Sequence, residues 1–199
     1  QQTEAFVNNF IEILTECRLF LGVDRNNLCK MIGCLGAKTK KFTKDQFILS
    51  EGSEAKDVGI VLSGEAQIIR IDLFGNRTIL ARVVPSQLFG ESFACADMKS
   101  IPINVVATSD CEVMLIDAKR ITQTCNGACA FHSKMIFNLL KVVAEKNIIF
   151  HEKIEITSQR TTREKLMTYL QIQAKKEGNS TFDIPFARQD LADYLEVER

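Results

Sequence analysis

The chain has 199 residues, 46% of them hydrophobic and 25% charged, with 25 Lys and Arg set against 25 Asp and Glu. That mixture belongs to a folded domain with a real core, and a net charge of zero gives no general pull toward nucleic acid or an anionic membrane. The apolar runs are far shorter than the ~20 residues that cross a bilayer. No basic-then-apolar leader opens the sequence, so the reading is a cytoplasmic protein without a membrane partner.

Charge is unevenly spread. Residues 134–176 hold nine Lys or Arg against four Asp or Glu, whereas residues 177–199 hold two against six. A phosphate-binding surface would therefore be local. The seven cysteines, Cys17, Cys29, Cys34, Cys95, Cys111, Cys125 and Cys129, are odd in number and lack the compact spacing of a disulfide framework, which fits a reducing compartment.

Residues 1–35 are predicted helical, with Phe6, Phe10, Ile13 and Leu14 at helix spacing and a turn near Gly22–Asp24. From Phe42 to Ile116 the pattern changes to short β-rich runs such as "QFILSEG", "VGIVLSG", "RTILARVV" and "CEVMLID". Gly52, Gly64, Gly75 and Gly90 fall between them as turn residues. Many closely spaced strands predict an antiparallel sandwich or roll rather than a βαβ sheet.

After "TQTCNGACAF" a long helix begins. Cys129, Ser133, Ile136, Leu140, Val143, Asn147, Phe150 and Ile154 alternate steps of four and three, the spacing of a coiled-coil seam. Leu139, Val142, Ile148 and Ile149 widen the apolar surface, so one face is free to meet the roll while the other meets a second copy. Burial of the whole helix within one subunit is the alternative. Asn147 within the stripe favours pairing, since a lone polar seam residue fixes register.

Two further helices are predicted. "RTTREKLMTYLQIQAKKEG" has Leu166, Tyr169, Leu170 and Ile172 on one side and ends at Gly178. In "ARQDLADYLEVER", Leu191 and Leu195 lie one turn apart around Ala192, which suits the first helix and turn of a helix-turn-helix.

Taken together, "LSEGSEAKDVGIVLSGEAQIIRID", "FGES", "SQRTTREKLMTYL" and "IPFARQDLADYLEVER" resemble the Crp/Fnr family of bacterial transcription regulators over nearly the whole chain. The resemblance implies an α+β fold: N-terminal helices, an antiparallel, jelly-roll-like β-roll, a long dimerisation helix and the start of a winged helix-turn-helix. The corresponding domains are an effector-sensing roll over 1–125, the dimerisation helix over 126–157, and the N-terminal part of the DNA-binding domain over 158–199. It also implies a homodimer on double-stranded DNA, with a dimer interface at Ile136, Leu140, Val143, Asn147, Phe150 and Ile154. Recognition helix and wing would follow Arg199, and without them the operator would be held weakly.

The effector site can be tested residue by residue. Relatives that bind cyclic AMP carry a Gly-Glu pair, present here as Gly90 and Glu91 and followed by Ser92, and an Arg-Ser or Arg-Thr pair about ten residues on. That second pair falls at Ile101 and Pro102, so the bidentate donor for the phosphate is missing; Lys99 is a point charge at another offset. Hydroxyl residues that would meet the base correspond to Ile148 and Ile149. The predicted effector site, Gly90, Glu91, Ser92, Ile101, Ile148 and Ile149, therefore suits an unknown small molecule other than cyclic AMP. Gly90 and Glu91 also read as a plain structural turn.

An iron-sulfur cluster is not supported by the dispersed Cys17, Cys29 and Cys34. Nor is haem by His132 and His151, the only histidines, both on the long helix. No cofactor is assigned. No strand carries a His for a cupin-like metal site, and no phosphate-binding P-loop or Ser/His/acid set is present, so the chain reads as a non-enzyme.

On the resemblance, Arg188 and Gln189 open the first helix of the DNA-binding motif at phosphate-contact positions. Arg199 stands at the first base-reading position, where Arg would grip guanine; a phosphate contact or a free surface charge is the alternative. Glu196 occupies a turn position where relatives often have Gly. The function expected is effector-responsive DNA binding by a homodimer, the alternative being a ligand-free sensor or interaction module acting through dimer contacts.

Overall fold

The computed structural model describes residues 2–123 and 130–198. Cys125, Cys129 and Arg199 lie outside the described residues, as does the expected boundary between roll and long helix.

The N-terminal segment is two helices with a kink between them: α1 (Gln2–Glu16), a 3-10 turn over Arg18–Phe20, and α2 (Arg25–Leu35). The Asp24 side chain accepts from the Asn27 N–H to start α2, and Gly36 in the left-handed region ends it. Eight strands follow: β1 (Lys38–Phe42), β2 (Phe47–Leu49), β3 (Asp57–Ser63), β4 (Ala66–Ile71), β5 (Arg77–Val83), β6 (Leu88–Phe89), β7 (Asn104–Ala107) and β8 (Cys111–Asp117). The short helix α3 (Glu91–Cys95) sits between β6 and β7. Among the described residues they form two four-stranded sheets, ordered β1-β8-β3-β6 and β2-β7-β4-β5, with every pairing antiparallel. This is the expected roll.

The strand pattern explains where the sheets sit. Along β3, Val58, Ile60 and Leu62 join the helical core while Val61 joins the sandwich core; along β8, Met114 and Ile116 face the helices and Val113 and Leu115 the sandwich. Both faces of this sheet are covered, which is why "VGIVL" is apolar without alternation. Gly59 is required by a close approach: a Cβ there would lie 2.1 Å from Cζ of Phe89, whose ring fills the sandwich above it.

α4 (Ala118–Thr122) leads out of the roll, and α5 (Ala130–Thr157) runs alongside it. The inner face of α5 buries Met135, Leu139 and Val142 against Leu14, Leu19, Phe20 and the outer side of β3. Asn138 donates to the Leu19 and Leu21 carbonyls at 3.1 and 3.0 Å, and Lys134 donates to the Gly22 carbonyl at 2.8 Å, so the kink after α1 is satisfied by the long helix.

The C-terminal segment has a small core of its own. α6 (Thr162–Glu177) opens with a capping box in which Thr161 and Glu164 satisfy each other's backbone N–H groups, and Gly178 closes it. α7 (Arg188–Leu195) follows an extended stretch. Ile156 of α5, Tyr169 and Leu195 are buried together, with Phe186 stacked on Tyr194 at 4.9 Å and Tyr169 edge-on to Tyr194 at 5.8 Å. The turn after α7 is held by Glu196 at φ 54°, so a residue with a Cβ does take the left-handed turn here, at a cost of about 1 kcal/mol.

Candidate functional site

The β6–α3 junction places the first functional group. Gly90 takes φ 79° as the residue before α3, a conformation that costs Gly nothing and that turns Glu91 back under the roll. Glu91 is only 2% exposed. Its Oε1 meets Lys146 Nζ at 2.8 Å and accepts from Ser92 Oγ at 3.2 Å, and Lys146 also donates to the Leu88 carbonyl at 2.7 Å. A buried carboxylate is tolerable because an ammonium on α5 faces it. The other oxygen, Oε2, is buried without a partner.

These groups border a cavity of about 560 Å³, of the size that holds small-molecule ligands. Its walls come from four parts of the chain, the first being the end of the N-terminal segment with Glu16 and Arg18. The roll contributes Ile68, Leu80, Val83, Gly90, Glu91 and Ser92; α5 contributes Val142, Lys146, Ile149 and Phe150; the C-terminal segment contributes Phe186 and Tyr194. Arg18 at the rim is paired with Glu145, and Arg82 is paired with Glu65, its Nε 3.0 Å from Oε2.

Of the residues expected at an effector site, Gly90, Glu91, Ser92 and Ile149 line this cavity. Two do not. Ile101 is 2% exposed within the sandwich core, its N–H donating to the Ser53 carbonyl and its own carbonyl accepting from Gly52, both at 2.9 Å. Ile148 is exposed, off the cavity wall. A helix turns about 100° per residue, and that step carries Ile148 off the face on which Lys146 and Ile149 meet the cavity.

The sequence reading missed Lys146, Arg82, Phe186 and Tyr194. Lys146 had a signal: with Leu139, Val142, Ile149 and Lys153 it repeats in steps of three and four, and a charge inside such a stripe needs a buried partner. Phe186 and Tyr194 had none, because the contact between C-terminal segment and roll is tertiary.

That contact is specific. Asp190, in the first turn of α7, accepts from Gln67 Nε2 at 3.1 Å and faces Arg77 Nη2 at 3.7 Å, tying α7 to the β4–β5 hairpin. Lys153 of α5 donates to the Tyr194 carbonyl and lies 3.8 Å from the centre of its ring, and burial pulls its pKa down to about 8. Arg188 is exposed at the start of α7, and the Gln189 side chain donates to Asp193 at 2.6 Å.

The expected seam of α5 is bare. Leu140 is 63% exposed and Ile154 61%; Val143, Asn147 and Phe150 are also exposed, with Ile136 half-buried. Phe137 and Ile148 extend the same apolar surface.

The cysteines are free among the described residues, with Cys17 and Cys111 buried and Cys34 and Cys95 exposed. Burial pushes the Cys17 thiol up to about 12, which leaves it a packing residue. Among the described residues no cluster of three or more His, Cys, Asp or Glu could hold a metal, and no helix is long and apolar enough to cross a membrane.

Comparison with known proteins agrees with this geometry. The cyclic nucleotide-binding domain family model matches residues 39–127. The transcriptional activator protein FnrL of Cereibacter sphaeroides is 22% identical over 165 residues, covering 78% of this chain and 63% of FnrL, so the chain spans less than two thirds of that relative. Among solved structures, FixK2 from Bradyrhizobium japonicum is 20% identical, with 81% of this chain and 78% of that chain covered at a TM-score of 0.61. CLP from Xanthomonas campestris, described as a c-di-GMP responsive global regulator, is 16% identical, with 85% of each chain covered at a TM-score of 0.67. Residues 39–127 thus match the cyclic nucleotide-binding domain family, in a chain that resembles the transcriptional activator FnrL in sequence and FixK2 and CLP in fold.

Proposed function

We propose that the chain is the sensing part, with the beginning of the DNA-reading part, of a homodimeric transcription regulator whose DNA binding responds to a small effector other than cyclic AMP. It is a binding protein rather than an enzyme. The observation that carries this reading is the composition of the cavity wall: roll, α5 and the C-terminal segment all contribute to it, so an occupant contacts the sensor and the segment that leads into the DNA-binding motif at once. A ligand shifts an equilibrium only through unequal affinity for two arrangements, and a cavity lined in part by Phe186 and Tyr194 of the C-terminal segment offers a route to that inequality.

Two features support the finer points. The exposed apolar stripe at Leu140, Val143 and Ile154 suits a second copy of the same helix, packed knobs into holes. The positions where a cyclic phosphate would need Arg hold Ile101, committed to the sandwich core, and Pro102, which has no N–H.

In the full-length protein, Arg188 and Gln189 would sit near the phosphate backbone and Arg199 near a base edge. The deciding experiment is a DNA-binding titration of the full-length protein across salt concentration. A regulator loses affinity steeply as salt rises, because phosphate contacts release counterions. Negligible binding, flat in salt, would mean instead an interaction module acting through dimer contacts.

A further inference from the structure

We propose that the contact between the first turn of α7 and the β4–β5 hairpin is an autoinhibitory latch, in which Arg77, Gln67 and Asp190 hold the start of the DNA-binding motif against the roll and out of reach of a duplex. The inference rests on the regulator reading above and adds how its DNA binding is held back.

The three side chains form one network. Gln67 is 4% exposed, and both ends of its amide are used: Oε1 accepts from Arg77 Nη2, and Nε2 donates to Asp190 Oδ2 at 3.1 Å. Arg77 Nη2 also faces Asp190 Oδ1 at 3.7 Å, with 37% and 30% of the two side chains exposed. A pair this shielded, joined through a buried amide, is worth more than an open surface ion pair. Lys153 holds the other end of α7 at the Tyr194 carbonyl, so the latch has only to fix the start.

Two observations give the latch its sign. A duplex gripped at Arg188 and Gln189 has to reach the first turn of α7, the turn that Asp190 ties to the hairpin, and the Gln189 side chain is spent on Asp193. The hairpin also carries a stiff tip immediately before Arg77. Asp72 Oδ1 accepts from the N–H groups of Phe74 and Asn76, both at 2.8 Å, and Leu73 and Phe74 stand almost wholly exposed on that turn. A rigid tip beside the first turn takes up room that a duplex needs.

The test is fluorescence anisotropy of the full-length protein on a labelled random-sequence duplex about three helical turns long, for wild type, Arg77→Gln, Asp190→Asn and Arg77→Lys. Loss of a cation ordinarily weakens binding to DNA. The latch predicts the opposite for Arg77→Gln: affinity at least about fivefold tighter than wild type, because the fraction of protein competent to bind rises. Asp190→Asn should tighten by a similar factor, and Arg77→Lys, which keeps a cation facing Asp190, should gain less than Arg77→Gln. The contact itself is read in the 199-residue chain by ¹H–¹⁵N NMR, where Arg77→Gln should shift the amide resonances of Arg188–Leu195. Unshifted α7 resonances, or an Arg77→Gln protein that binds DNA no tighter than wild type, would each overturn the latch. The two readings fail differently: salt-dependent binding by the wild type with no gain in the variants removes the latch alone, whereas no salt-dependent binding by any of the four proteins removes the regulator reading and the latch with it.

Discussion

The two faces of α5 carry the same heptad pattern read one residue apart, about 100° around the helix, and they have opposite fates. The inner stripe, through Met135, Leu139, Val142, Lys146, Lys153 and Ile156, is consumed by the chain's own folding. The outer stripe, through Leu140, Val143, Asn147 and Ile154, is left exposed. A helix with apolar residues on two faces is covered on only one of them by its own subunit, which is why the proposed dimer places a second copy on the other. The inner stripe also shows why its charges are there. Lys146 and Lys153 lie seven residues apart, so they emerge on the same side, one to clamp the roll at Glu91 and Leu88, the other to clamp the C-terminal segment at Tyr194.

The sharpest way to break this contrast is at Lys146. Lys146→Met leaves Glu91 buried and unpaired, and should cost about 3–5 kcal/mol in a urea unfolding curve. The paired change Lys146→Met with Glu91→Leu should recover most of it, since an apolar pair of similar volume replaces the buried ions. Next comes a truncation on each face. Met135→Ala should destabilise by about 2–5 kcal/mol, while Leu140→Ala should change the stability of the subunit itself by no more than about 0.5 kcal/mol and act instead on association. Equal losses at the two positions in dilute protein would erase the distinction between the faces.

A smaller effect separates the charged residues of the inner stripe from one another. Burial lowers the Lys153 pKa from 10.5 to about 8. Between those values the unfolded chain holds a proton that the folded chain has released, so stability rises with pH from about 8 toward 10.5. Cys17 and Tyr169, both raised to about 12 by burial, oppose this from the alkaline side. The readout is therefore the difference between wild type and Lys153→Met, which should grow in favour of wild type over that window. Smaller still is Glu196→Gly, which relieves the left-handed turn after α7 and, after the offset from the freer unfolded chain, should stabilise by about 0.5 kcal/mol in a urea unfolding curve.

What could be read from the sequence follows the range of the forces involved. Strand periodicity, turn glycines and the caps of α6 are local, and Gly52, Gly64, Gly75, Gly90 and Gly178 all take the positive φ their positions imply. Glu91 was legible because the Gly-Glu pair is a contiguous motif, and it does line the cavity. The break in the N-terminal helical region at Arg18–Phe20 was not, since its carbonyls are satisfied by Asn138 from a distant helix. Ile101 was placed in the site by counting along the chain, but an apolar side chain beside a sandwich follows burial, and it went inward. Ile148 and Ile149 are equivalent in a count along the chain, but the helix turns the first toward solvent and the second toward the cavity. The docking of α7 on the β4–β5 hairpin through Asp190, Arg77 and Gln67 joins residues more than a hundred positions apart, and no local pattern announces it.

The account turns on the outer face of α5 being covered by a second copy of the chain. Sedimentation equilibrium on the wild-type protein and on Leu140→Lys/Ile154→Lys, at matched micromolar concentrations, tests this most directly. The account predicts a dimer for the wild type and a folded monomer for the variant, with association weakened on the order of a hundredfold or more because each lysine would be buried unpaired in the seam. A wild-type protein that sediments as a monomer, or a variant that dimerises as tightly as wild type, would contradict it.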